Sequence, residues 1–221
     1  MTGRPARRGW YPLAAVAALV VAITFATIGD GVEVREAAGA RLLIVDWGHT
    51  LVWVLLTLSF AAAALRGGWD AWANGLAIGA AVAYGAFLVA VFTRPAHVPG
   101  AALVASATLA ALAGLQVAVA LGAPWGRLVW GGAHRVLPTR LRVASAASAL
   151  LYAGFAWVLL RRAGVLPGAV DGLVAVATWA LCGYFTLGIV LNLASRSRAE
   201  RRTMVPASSL LAAASLAIAL T

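Results

Sequence analysis

Apolar positions in this chain do not alternate with polar ones at the period of a strand or of a surface helix; they run unbroken for about twenty residues at a time. A helix that crosses the roughly 30 Å hydrocarbon core of a bilayer needs about 20 mostly apolar residues, because each residue rises about 1.5 Å. Seven segments meet that requirement: Pro12–Ile28, Leu42–Leu65, Trp72–Phe92, Ala101–Leu121, Val143–Leu160, Val170–Leu193 and Pro206–Thr221. The pattern therefore predicts an all-α fold, a polytopic membrane bundle of seven transmembrane helices. Short connections make sequential helices neighbours, giving a single transmembrane domain over 1–221 with a three-helix part at 1–98 and a four-helix part at 99–221.

Composition agrees with the pattern. Of 221 residues, 63% are hydrophobic and 11% charged, far from the roughly one quarter charged that is usual in soluble domains. The net charge of +10 comes from seventeen arginines and no lysine, which excludes a retinal Schiff base. The arginines lie between apolar runs instead of on one polar face, so they argue against a nucleic-acid partner and read as topology. With the N-terminus cytoplasmic, twelve arginines fall inside: Arg4, Arg7, Arg8, Arg66, Arg127, Arg135, Arg140, Arg142, Arg196, Arg198, Arg201 and Arg202. Arg35, Arg41, Arg94, Arg161 and Arg162 fall outside, and the C-terminus is extracytoplasmic. A basic stretch before the first apolar run also fits a signal peptide, but TIGDGVEVRE after it lacks a small-x-small cleavage site, which favours an uncleaved anchor. The expected location is a bacterial cell membrane, and the expected partners are membrane lipids, with another membrane protein or a second copy of the chain as further possibilities.

Few side chains offer chemistry. The one cysteine, Cys182, can form neither an intramolecular disulfide nor a CxxC site. The three histidines, His49, His97 and His134, do not pair across spans as haem would require, and no GxSxG, HExxH or phosphate-loop motif occurs. The reading therefore assigns no catalytic residue, no metal and no cofactor. Asp46 and His49, three apart in the second span, share a helix face; they fit either a proton relay or an interface cap with an anchoring histidine. Asp70 and Tyr84 around the third span find counterparts in Asp171 and Tyr184 around the sixth, as an inverted repeat would and as biased composition also would. Asn74, Gln116, Tyr152, Thr178 and Asn192 are isolated polar groups suited to bonds between helices.

The richest stretch is the connection Gly122–Arg142, GAPWGRLVWGGAHRVLPTRLR. Its prolines and glycines forbid a continuous helix, while Trp125, Leu128, Val129 and Trp130 keep it apolar. It is expected to be ordered, to hug the membrane and to pack against the second basic connection, Asn192–Pro206, where Glu200 is the only acid. Four arginines in each stretch repel unless something anionic lies between them, which Glu200, expected to pair with Arg140 or Arg142, and lipid phosphates or a ligand could supply. Candidate ligand residues are accordingly Trp125, His134, Arg140, Arg142, Asn192, Arg196, Arg198 and Glu200, with Asp46, His49 and Gln116 as secondary candidates.

Those two stretches carry Ala123–Gly126, Trp130–Gly132, His134, Leu137-Pro138 and Leu141-Arg142, then Asn192, Ser195–Ser197, Glu200-Arg201 and Pro206. In this the chain, over about 101–221, resembles a group of small, uncharacterised actinobacterial integral membrane proteins. The resemblance implies no activity. Three functions follow from the residues: binding or transport of a small amphipathic or anionic ligand or lipid at the cytoplasmic side, service as an accessory or assembly subunit of a larger membrane complex, or a membrane-embedded enzyme. A polar cavity reaching from Gln116 toward Asn192 would favour the first, and an acid or histidine directed into it the third.

Overall fold

The computed structural model describes residues 9–34, 37–168 and 172–221. Arg4, Arg7, Arg8, Arg35, Val170 and Asp171, on which parts of the sequence reading rest, lie outside the described residues. Among the described residues all regular structure is helical: α1 (Trp10–Thr27), α2 (Gly39–Leu65), α3 (Ala71–Phe92), α4 (Val98–Ala120), α5 (Thr139–Arg162), α6 (Gly172–Leu193) and α7 (Arg198–Ala219), with short 3₁₀ turns between some of them. Each of the seven is long and apolar enough to cross a membrane.

The burial pattern is that of a lipid-facing protein. Large side chains such as Leu13, Leu43, Leu103, Leu150 and Leu173 point outward, whereas many inward positions are small, among them Ala63, Ala73, Ala90, Ala102, Ala105, Ser59, Ser145 and Ser215. Lipid tails are as apolar as leucine, so burying leucine between helices gains little; small residues let backbones approach and maximise dispersion contact.

The chain packs as two compact units, Met1–Phe92 and Thr93–Thr221. In the first unit α2 is central, packing on α1 and α3. Ser59 Oγ donates to Ala73 O at 2.7 Å and buried Arg41 Nε donates to Ala90 O at 2.9 Å, tying α2 to α3 near both ends.

In the second unit α4 packs on α5 and α7, and α6 packs on α7. Leu109, Leu159, Leu181, Phe185, Leu211 and Ile218 form its core. One boundary differs instructively from the sequence pattern. The last helix begins at Arg198, not Pro206, because Ser197 is its N-cap: Ser197 Oγ accepts the Glu200 N–H at 3.2 Å and so satisfies a donor of the first turn. Pro206 lies inside the helix, leaving the Arg202 carbonyl without its usual donor. The helix is the most buried of the spans, chiefly through residues 211–219.

Candidate functional site

The site is built at the arginine-rich end of the second unit, where α4 and α6 end and α5 and α7 begin. The Gly122–Arg142 connection is ordered. Gly126 is buried and donates its N–H to Arg135 O at 3.0 Å; a Cβ there would meet His134 O at 2.5 Å, so only glycine lets the strands of this loop approach so closely. Val129 and Leu137 bury themselves against Val119, with Leu115, Leu141 and Met204 around them. The loop thus plugs the end of the bundle with its own apolar side chains. Arg142 Nε donates to Ala120 O at 2.5 Å, placing a guanidinium on the last residue of α4, where helix carbonyls lack partners and the dipole favours a cation.

The two basic connections meet, as their sequences led us to expect. Ser197 Oγ donates to Arg127 O at 2.7 Å, and the Gly131 N–H donates to Glu200 Oε1 at 3.2 Å. Ser195 Oγ donates to Glu200 Oε2 and accepts the Ser197 N–H at 3.1 Å. Gly132 sits against Ser197, where a Cβ would come within 2.5 Å of the serine Cβ. Trp130 adopts φ 55, in the left-handed region rarely used outside glycine, and its indole N–H donates to Ser145 Oγ of α5 at 2.9 Å.

The partner expected for Glu200 was different. Arg140 and Arg142 do not pair with it; Glu200 is only 7% exposed, and its oxygens take the Gly131 N–H and the Ser195 hydroxyl. Exposed ion pairs contribute little, whereas a buried carboxylate must be satisfied by donors already fixed beside it. Arg140, Arg196, Arg198 and His134 are exposed, and Arg201 Nη1 donates to Ser195 O at 2.6 Å.

Above the plug lies a mainly apolar cavity of about 390 Å³, bounded by all four helices and by Val129 and Trp130 of the connection. Its polar wall groups are Gln116 of α4, Ser148 and Tyr152 of α5, Tyr184 and Asn192 of α6, and Glu200 and Ser208 of α7. Asn192 Nδ2 donates to Ser208 Oγ at 3.0 Å, bridging α6 and α7. Gln116 is 7% exposed; its amide lies beside the Tyr152 phenol, yet its Oε1 has no hydrogen-bond partner. Of the ligand residues expected from sequence, the structure brings Asn192, Glu200 and Gln116 to the cavity wall. Trp125, His134, Arg140, Arg142, Arg196 and Arg198 are not in that wall. Ser148, Tyr184 and Ser208 were passed over as cavity residues, because a serine or tyrosine in an apolar span reads as ordinary helix packing until its neighbours are known.

In the first unit the carboxylate partner of His49 is Asp30, not Asp46. Asp30 Oδ2 lies 3.0 Å from His49 Nδ1, and Asp30 Oδ1 accepts the Val32 N–H at 3.0 Å. Phe25, Tyr84 and Phe87 surround the imidazole at ring separations of 4.7, 5.7 and 4.7 Å. Asp46 is exposed. Asp70, outside the spans, caps α3: its Oδ1 accepts the Ala73 N–H at 2.9 Å and Arg66 lies 3.2 Å from its Oδ2. The backbone N–H of Ala73 foremost, and then the Arg66 charge, hold this carboxyl below its ordinary value.

Comparison of the chain with known protein families, with characterised proteins and with solved structures finds no significant match.

Proposed function

We propose that the α4–α7 unit binds a small amphipathic molecule or a membrane lipid in the cavity between its helices. The observation that carries this reading is the cavity itself, which runs from Gln116 to Asn192, is floored by apolar side chains and has a few polar groups converging on it, the usual form of a ligand site. Its volume lies within the roughly 300–1,000 Å³ of small-molecule pockets. We propose further that the N-terminus is cytoplasmic, which puts this site at the inner membrane surface of a bacterial cell, and that the chain is akin to the actinobacterial membrane proteins its motifs resemble. Motif residues Gly126, Gly132, Ser197 and Glu200 are those through which the two connections fold and meet, which supports treating the motif as one structural device.

An enzyme is the second reading, favoured by the presence of an acid, Glu200, in the cavity wall. Both its oxygens are engaged, one by the Gly131 N–H of the other connection and one by the Ser195 hydroxyl of its own, so its chemistry is already spent on structure, and binding is the better account. The test is native mass spectrometry of gently purified protein. A retained small molecule or lipid is expected, and it should be lost from Ser148→Phe, which fills the cavity from a position whose hydroxyl bonds only within its own helix. Equal retention by the variant would refute the assignment to this cavity.

A further inference from the structure

Resting on the cavity as a ligand site, we infer that its ligand carries an uncharged, hydroxyl-bearing head on an apolar tail, with the head held at Gln116 and the tail lying in the gap between α5 and α6.

The wall is rich in acceptors. Gln116 Oε1 is buried and unpartnered, and leaving such an oxygen bare in an apolar setting is costly. Asn192 spends an N–H on Ser208 and keeps its carbonyl; Ser148 spends its proton on Ala144 O and keeps lone pairs. Glu200 adds a carboxylate. What this wall lacks is a cationic donor for an anion: no arginine, lysine or histidine lines it, and its donors are the neutral hydroxyls of Tyr152, Tyr184 and Ser208. An anionic head would face Glu200 and bare carbonyls. A cationic head would sit in the repulsive field of exposed Arg127, Arg135, Arg140, Arg196, Arg198 and Arg202 at the same end of the bundle. An uncharged donor escapes both penalties.

The route for the tail follows from packing. Among neighbours in the four-helix ring, α5 and α6 touch least. The cavity takes Ser148 and Tyr152 from one and Leu187 and Leu191 from the other, and both leucines are exposed on the face that meets lipid. A tail can leave the cavity there without crossing polar surface.

The test compares four probes that share one acyl or alkyl chain, each titrated into the detergent-solubilised full chain and read by native mass spectrometry: monooleoylglycerol with two hydroxyls, methyl oleate with acceptors only, oleate and oleylammonium. One hydrogen bond to a buried acceptor gives about a tenfold preference, so monooleoylglycerol should bind about tenfold more tightly than methyl oleate and more tightly than either ion. Gln116→Leu should erase that preference by weakening monooleoylglycerol alone, and Arg140→Gln, outside the wall, should leave it intact. If oleate or oleylammonium binds best, or all four bind alike, the head-group inference is overturned while the cavity remains a ligand site. If none of the four binds, the cavity assignment falls with it. The probe comparison on the unaltered chain decides the matter even if Gln116→Leu fails to fold.

Discussion

Gly131 and Gly132 are adjacent, share nearly the same backbone conformation and differ in one respect that can be measured. Their φ values are +76 and +71, so alanine at either position enters the left-handed region, at about 1–2 kcal/mol. A Cβ on Gly131 meets nothing within 4 Å; one on Gly132 would lie 2.5 Å from Ser197 Cβ, 2.6 Å from its Oγ and 3.0 Å from Arg127 O. Ser197 must therefore move. Moving it breaks the N-cap of α7, about 1 kcal/mol, and the bond to Arg127 O, about 1 kcal/mol more. Gly131→Ala should cost about 1–2 kcal/mol and Gly132→Ala about 3–4 kcal/mol. For a chain of this size each kcal/mol is about 2–4 °C of melting temperature. Scanning fluorimetry of the two variants in the same detergent should then separate them by about 4–8 °C. In the double variant Gly132→Ala with Ser197→Gly, part of the loss should return, because the obstructing side chain is gone. Equal losses for the two single variants would refute the claim that the connections are held together by this close approach.

Asp30→Ala should destabilise the first unit by about 1–3 kcal/mol, because it strips a partner from His49 and an acceptor from the Val32 N–H, whereas Asp46→Ala should stay within about 0.5 kcal/mol; the reverse order of melting temperatures would mean that Asp46 is the true partner. Asp70 has a lowered carboxyl pKa in the folded chain, so its contribution is present above the ordinary value of 3.8 and is lost as pH falls through the lowered one. The melting-temperature gap between the unaltered chain and Asp70→Ala should accordingly hold from neutral pH to about that value and close below it, and a gap constant down to strongly acid pH would contradict the linkage. In a background with Cys182 replaced by serine, cysteines at positions 2 and 221 should react with impermeant reagents from opposite sides of the membrane, the first from the cytoplasm; labelling of both from one side would remove the seven-span topology.

Much of this was legible in the chain because the bilayer imposes a simple length rule. Seven apolar runs meet it, and seven such helices form among the described residues. The meeting of the two basic connections was legible for a different reason: apolar Trp125 and Trp130 beside four glycines could not remain a free aqueous loop. What escaped was specific pairing. Asp46 and His49 share a helix face by spacing, but the chain between α1 and α2 folds back and brings Asp30 onto His49 from 19 residues away, and no local period encodes that return. Glu200 was assigned to arginines by charge, though the serine three residues before it is a ready N-cap. That signal starts α7 at Arg198, just after Ser197; reading Pro206 as the helix start hid it. The cavity was half visible, since Gln116 and Asn192 stand out as amides in apolar spans, while its serines did not.

The residues that close the end of the bundle are also residues of the cavity. Trp130 lines the cavity and, through its indole N–H, holds α5 at Ser145. Glu200 lines it and holds the loop at Gly131. Val129 is both cavity floor and buried plug, packed with Leu137 and Val119. A loop that merely connected two spans would need none of these bonds, and a non-glycine residue at φ 55 would be an unrewarded cost. Here that cost sets the indole where it can do two things at once: shut the arginine-rich end with an apolar surface and leave Gln116 facing space that no protein group fills. The glycines allow the close approach, the serines and Glu200 fix it, and the arginines, kept outside the wall, set the charge of the surroundings without entering the site. Sequence features that look like a basic, ligand-grasping loop thus serve mainly to build the floor of an acceptor-lined apolar cavity.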